Sequence, residues 1–188
     1  MAEKVNNGGK GGNPWLTTAW TTATAVILFL PLVAMQFTEE VNWTVGDFVF
    51  AGGLLLGAGV TYELAARIGG LAYQAGTVAA LGTGILTLWI TGAVGIIGSE
   101  DNPGNQLYLL TVALAIAGAI TARGRAGRMV WTMALTSVAT IAAPVIAYAG
   151  VAEPQGDVLA PEVFAATAVL AAGWSLSAFF FSRAAKHQ

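Results

Sequence analysis

The feature that most constrains this chain is the length of its stretches without a charged residue. Residues 75–97 and 129–152 contain no Asp, Glu, Lys or Arg. A helix of a soluble bundle needs a polar face toward water, and these stretches provide no charged groups for one. Only 10% of the 188 residues are charged, whereas a soluble domain carries about 25%. We therefore predict an all-α integral membrane protein that is surrounded by lipid.

Six segments are long enough and apolar enough to cross a membrane. A spanning helix needs roughly 20 mostly apolar residues to cross a hydrocarbon core of about 30 Å. The segments that meet this requirement predict a polytopic fold, a six-transmembrane-helix bundle. They are residues 15–37, 45–66, 71–97, 106–122, 129–151 and 162–182.

Charges of opposite sign are predicted to lie on opposite sides of the membrane. Carboxylates without Lys or Arg follow the first, third and fifth spans, and basic residues occupy both tails and the other connections. Because Lys and Arg stay on the cytoplasmic side, we predict a cytoplasmic N-terminus and C-terminus, with the acidic loops periplasmic. The acidic residues are Glu39, Glu40, Glu100, Asp101, Glu153 and Asp157, and the basic residues are Lys4, Lys10, Arg67, Arg123, Arg125, Arg128, Arg183 and Lys186.

Both ends of the chain are predicted to lie outside the membrane domain. Residues 1–14 are rich in Gly and Asn and predict a flexible cytoplasmic tail, residues 15–182 the six-helix transmembrane domain, and residues 183–188 a short cytoplasmic tail. Lys4 and Lys10 before an apolar run are also compatible with a secretory signal peptide. The run is too long for one and no A-x-A cleavage pattern follows it, which favours an uncleaved first helix.

Several kinds of catalytic chemistry lack the residues they need. The chain has no Cys, so a thiolate nucleophile or an iron–sulfur site is excluded, and its one His, His187, cannot provide bis-His haem ligation. It contains no phosphate-binding loop with its Lys and no zinc signature. We therefore expect no cofactor and no nucleic-acid partner, and the sequence favours a non-enzymatic protein over an enzyme.

Glu63 is a charged residue well inside a predicted span, and it lies toward the cytoplasmic end. Arg67 follows four residues later on the same helix face, in the favourable Glu-to-Arg order. Ionisable groups within the membrane are costly and often functional, so Glu63 and Arg67 are candidates for an ion or proton site. The alternative is an interfacial ion pair that fixes the helix end.

The predicted outer loops are candidates for a metal site. Residues 99–105 combine oxygen ligands with the turn-forming Pro103 and Gly104. Hard divalent cations take carboxylate and amide oxygens, so a cation-binding rim could form there together with the other acidic loops. The alternative is that these are solvated loops on the acidic side. The candidate metal ligands are Glu39, Glu40, Glu100 and Asp101. Asp157 is predicted to lie on the same side of the membrane and could contribute to the rim.

Small residues repeat at four-residue spacing in three spans. Such stripes let membrane helices approach closely, although the contacted helix could belong to this chain or to another subunit. Aromatic residues near the predicted interfaces favour anchoring at the membrane surface. The stripes are Gly53 with Gly57, then Gly76 with Ala80 and Gly84, then Gly173 with Ser177, and the aromatic residues are Trp15, Trp20, Trp43 and Tyr108.

Three motifs carry a family resemblance. PLVAMQFTEEVNWT at residues 31–44, TYEL at residues 61–64 and GIIGSEDNP at residues 95–103 resemble a family of small multi-span bacterial inner-membrane proteins whose activity is uncharacterised. The resemblance covers the first half of the chain well and the second half only in pattern. It implies a location in the bacterial inner membrane, and it implies no activity, cofactor or site residue.

The leading functional hypothesis is a non-enzymatic membrane protein with a structural or accessory role. Its expected partners are the lipid bilayer and either further copies of itself or subunits of a larger membrane complex. The alternative is a transporter or channel for a small solute or cation, motivated by Glu63, by Pro31 and Pro144 inside spans, and by an acidic mouth that concentrates cations. A membrane enzyme with a metal at its acidic face is the third hypothesis.

Overall fold

A computed structural model describes residues 14–150 and 158–187. Within this part of the chain there are six α-helices, each long and apolar enough to cross a membrane. They confirm the prediction of an all-α protein with six membrane-length helices. The helices are α1 (Pro14–Ala34), α2 (Val45–Ile68), α3 (Leu71–Ala93), α4 (Gln106–Ala122), α5 (Ala126–Tyr148) and α6 (Pro161–Ala185), and a 3₁₀ turn (Pro103–Asn105) precedes α4.

The third predicted span was wrong at its end, because α3 stops at Ala93 and not at residue 97. The backbone N–H groups of Val94 and Gly95 both donate to the Ile90 carbonyl, and Gly95 then takes a positive φ of 82°. A Cβ atom on Gly95 would come within 2.5 Å of the Ser99 backbone. The chain therefore turns sharply at a position that only glycine can occupy.

Other helix bounds differ from the prediction by a few residues. The first helix ends at Ala34 rather than 37, and the fifth begins at Ala126 rather than 129. The last helix continues to Ala185, so it includes part of the segment predicted as a C-terminal tail. Residues 1–13 of the predicted N-terminal tail, the end of the fifth predicted span at Val151, and the acidic residues Glu153 and Asp157 lie outside the described residues.

The chain divides into two compact units, Met1–Arg67 and Ile68–Gln188. In the first unit α1 and α2 pack in an antiparallel register. The indole Nε1 of Trp20 donates to the Leu55 carbonyl at 2.6 Å, and its ring lies against Gly59, where a Cβ atom would collide with it. The interface continues toward the other end of the pair, where Gly52 faces Leu28. Glycine positions on α2 thus provide the space for side chains of α1.

In the second unit α6 packs against α3 and α5, and α5 packs against α4. Small residues form these contacts. Ser177 Oγ donates to the Gly76 carbonyl at 2.8 Å, Gly84 faces the Trp174 ring, and a Cβ atom on Gly173 would collide with Thr83. Two of the three small-residue stripes therefore serve contacts between helices of this chain, as expected for close packing in lipid.

The second unit buries several hydroxyl groups among its apolar core residues while it exposes many large apolar side chains. Thr87, Thr136 and Thr140 are fully buried, and each hydroxyl donates to the carbonyl four residues earlier at 2.8 or 2.9 Å. Large apolar side chains such as Ile120 and Trp131 remain exposed. A protein in water would have the opposite distribution, so this one supports a lipid environment.

Candidate functional site

Glu63 lies five residues before the end of α2 and belongs to a small polar cluster of the first unit. Its Oε1 accepts a hydrogen bond from the Thr17 hydroxyl of α1 at 2.6 Å. Its Oε2 lies 3.8 Å from Nη2 of Arg67, and the two side chains are 22% and 52% exposed respectively. The cluster therefore joins a partly exposed ion pair on α2 to a hydroxyl on α1.

The Glu63–Arg67 geometry is that of an ion pair within one helix. Exposed pairs at this spacing contribute about 0.3–0.5 kcal/mol, so the ion pair by itself has little effect on global stability. The Thr17 hydroxyl adds a link between helices that the sequence did not predict, because the link depends on how α1 packs against α2. A cation could take the Glu63 carboxylate only in competition with Arg67. The assignment of an ion or proton site to Glu63 and Arg67 stays a prediction.

The candidate metal ligands lie in two different connections. Glu39 and Glu40 follow α1, where the Glu40 backbone N–H donates to the Thr38 hydroxyl at 3.2 Å. Glu100 and Asp101 lie between α3 and α4 and are exposed. Within residues 14–150 and 158–187 no three His, Asp or Glu side chains come close enough together to hold a metal ion. The cation rim therefore stays a prediction.

The connection between α3 and α4 is folded against the bundle by one buried amide, that of Asn105. Asn105 Oδ1 accepts hydrogen bonds from the backbone N–H groups of Ile96 and Ile97, both at 2.9 Å. Its Nδ2 donates to the carbonyls of Ser99 at 2.7 Å and of Ile97 at 3.4 Å. The amide thus provides hydrogen-bond partners for backbone groups that have none in a helix once α3 ends. In a membrane-embedded chain every buried backbone group needs such a partner.

Ile96 and Ile97 are held inside the protein by this arrangement. They are buried in a cluster at the end of the bundle that carries Glu100 and Asp101, and Tyr108 lies in the same cluster. Tyr108 is fully buried, and its hydroxyl lies 2.6 Å from the Thr167 hydroxyl of α6. The prediction that Tyr108 anchors the protein at the membrane surface was therefore wrong, because its ring packs inward and its hydroxyl joins α4 to α6.

Asn105 and Tyr108 are structurally important residues that the sequence interpretation missed as such. The sequence signal for Asn105 is its position directly before a long apolar helix. A side-chain amide that is buried there needs hydrogen-bond partners, and the nearby backbone groups can provide them. Tyr108 is the third residue of α4, and the sequence carries no signal that separates a ring packed inward from an interfacial one at that position. Trp20 also has a packing role that the sequence interpretation missed. It lies near a helix end, as predicted, and its indole donates a hydrogen bond to the backbone of α2.

No charged residue is buried within residues 14–150 and 158–187. The polar residues that are buried there are Thr, Ser and Asn, besides the aromatic Tyr and Trp. Two of their atoms, Thr91 Oγ1 and Trp174 Nε1, have no hydrogen-bond partner among the described residues. The described interior thus offers hydroxyls, side-chain amides and an indole, and no ionisable carboxylate or amine, for chemistry or transport.

Comparison with known proteins does not assign this chain to a family. No family model matches it, and neither the curated proteins nor the solved structures include a significant match. The class of protein therefore follows from the structure, which defines an integral membrane protein with six candidate spans. The family resemblance of the three sequence motifs stays a prediction.

Proposed function

We propose that this chain is a non-enzymatic structural or accessory protein of the bacterial inner membrane and a subunit of a larger assembly, either with copies of itself or with other membrane proteins. The observation that carries the proposal is the uncharged interior of the described helices. A proton pump or ion carrier normally places ionisable groups within the membrane. Here the buried threonines donate their protons to carbonyls of their own helices.

A surface of α2 supports the assembly part of the proposal. Gly52 and Gly59 on α2 face Leu28 and Trp20 of α1, whereas a Cβ atom on Gly53 or Gly57 meets no atom of the α1–α2 unit within 4 Å. The small stripe predicted from the sequence is thus not used in packing α1 against α2. Stripes of this kind allow a helix of another subunit to approach closely.

The assembly is tested by comparing matched glycine variants. Gly53→Leu and Gly57→Leu add a side chain to the stripe, and Gly82→Leu adds the same side chain to α3 at a position that is also open within 4 Å. We expect the wild-type protein to elute from a mild-detergent column as an oligomer or complex, and the first two variants to shift toward the monomer. Repeated recovery of the wild type as a monomer alone, with no cross-linked partner in cells, would contradict the proposal.

A second candidate function is transport of a small cation. The hydrogen bond from Thr17 to Glu63 favours it, because the bond holds a carboxylate between two helices where a cation could be exchanged. Purified protein in liposomes should then support cation flux, and Glu63→Gln should lower that flux while Glu40→Gln leaves it unchanged. The absence of flux for any small cation would remove this candidate, and flux unaffected by Glu63→Gln would remove Glu63 from its mechanism.

A further inference from the structure

A groove of ≈360 Å³ lies at the end of the second unit where α3 begins and α6 ends. It is lined by residues 68–73 on one side and by Ala184 and His187 on the other. Tyr73 is held in place by Phe181, since their rings meet edge to face with centroids 5.0 Å apart. Gly70 has open space where a side chain would stand. The groove is therefore a shaped, mostly apolar surface whose lining includes one side chain that can carry a positive charge, His187.

Cationic residues are concentrated at this end of the unit. The turn between α4 and α5 lies against the groove wall, because a Cβ atom on Gly124 would lie 3.2 Å from the Ile68 side chain. Arg123 and Arg125 flank that glycine, and Lys186 directly precedes His187. The carboxylates in the described part of this unit are Glu100, Asp101 and Glu162, and all lie at the opposite end of the helices. Among the described residues of this unit, the charge near the groove is thus positive.

We propose that this groove binds the headgroup region of an anionic phospholipid. The ends of membrane-spanning helices lie at the level of lipid phosphates, where basic residues attract anionic headgroups. The apolar wall formed by Ile68 and Leu71 suits the start of an acyl chain, and His187 with the neighbouring basic turn suits the phosphate. The inference depends on the membrane location of the helices and is independent of the proposed role in an assembly.

The binding is tested with phosphatidylglycerol and phosphatidylcholine that carry the same acyl chains. Native mass spectrometry of the detergent-purified full chain should show one phosphatidylglycerol bound more tightly than phosphatidylcholine. Gly70→Leu fills the groove and should weaken phosphatidylglycerol binding by about tenfold, which corresponds to about 1.4 kcal/mol. Gly127→Leu is the matched control, since that glycine is open within 4 Å, lies at the same end of the bundle and does not line the groove.

The charge contribution is tested in the same way. Arg123 has a φ of 49°, which Asn tolerates, so Arg123→Asn removes a charge without straining the turn. It should weaken phosphatidylglycerol binding roughly fivefold, as expected for the loss of one surface cation. The control is Arg183→Gln. The Arg183 guanidinium lies 5.0 Å over the Phe179 ring, so this cation is engaged by its own helix. Its removal should have a smaller effect.

A measurement on the unmodified protein makes the test independent of any substitution. His187 is the one histidine of the chain, so its ring signals in an NMR spectrum need no assignment by mutation. Phosphatidylglycerol should shift these signals and phosphatidylcholine should not. Equal responses to the two lipids, or equal losses of affinity in Gly70→Leu and Gly127→Leu, would overturn the inference.

Discussion

The Asn105 side chain forms hydrogen bonds with the backbone on both sides of the turn that follows α3. Asn105 is 2% exposed, and Ile96 and Ile97 are buried as well, so bulk water does not replace the bonds between its amide and their backbone groups. Ile96 and Ile97 are buried, although they lie in the connection between α3 and α4. A polar residue therefore makes it possible for an apolar loop to pack within the bundle.

Replacing Asn105 by Ala should destabilise the protein by about 2–4 kcal/mol. The reason is that the two backbone N–H groups of Ile96 and Ile97 would stay buried without partners, at about 1–3 kcal/mol each, with some relief from relaxation. Unfolding in mixed micelles measures the change, and hydrogen exchange at Ile96 and Ile97 should accelerate. Asn42→Ala, at an exposed position, is the control and should have little effect on either measurement.

The Tyr108–Thr167 hydrogen bond allows a direct measurement of one contact between helices. Hydrogen bonds between membrane helices contribute about 0.6 kcal/mol on average and up to about 1.7. A double-mutant cycle with Tyr108→Phe and Thr167→Val should give a coupling energy in that range. A coupling energy near zero would show that the 2.6 Å contact does not stabilise the folded protein.

At the level of helices, hydropathy predicts how many helices there are but not where each one ends. It predicts the number and the central residues of the helices because each must cover the same apolar thickness. It does not predict that α3 ends at Ala93, because Ile96 and Ile97 are as apolar as the helix before them. That end depends on the positive φ of Gly95 and on an amide ten residues further along the chain, which is a tertiary contact.

The same distinction applies to the candidate site. The Glu63–Arg67 pair follows from the periodicity of one helix and was predicted from spacing alone. The Thr17 hydroxyl that joins it requires the register of α1 against α2, which in turn depends on Trp20 fitting against Gly59. A single sequence carries no direct record of that fit.

Close approach of α3 and α6 should make Gly173 sensitive to a single added methyl group. In Gly173→Ala the new Cβ atom would collide with Thr83, whose hydroxyl is bonded to the Ala79 carbonyl at 2.8 Å. Overpacking of this kind costs about 1–3 kcal/mol, measured by unfolding in mixed micelles. The cost should largely disappear in the double variant Gly173→Ala with Thr83→Ala. Gly82→Ala, where the space is open, should be neutral or slightly stabilising.

At the level of the whole molecule, six spans require both ends of the chain to lie on the same side of the membrane. The distribution of Lys and Arg predicts that this side is the cytoplasm. The chain contains no Cys, so single cysteines can be labelled without a background. In intact cells stripped of their outer membrane, a membrane-impermeant thiol reagent should modify Glu100→Cys, and it should modify Lys186→Cys only after permeabilisation. The reverse pattern would invert the topology.

The way in which the buried hydroxyls are bonded also determines how this sequence can change over evolutionary time. The carbonyls that accept from Thr87, Thr136 and Thr140 belong to helices and retain their backbone partners when the hydroxyl is lost. In an alignment of related chains we therefore expect Thr, Val and Ala to exchange freely in these columns. Ser137 and Ser177 instead bond to the backbone of another helix, so their columns should retain a small hydroxyl and would identify distant relatives better than hydropathy does.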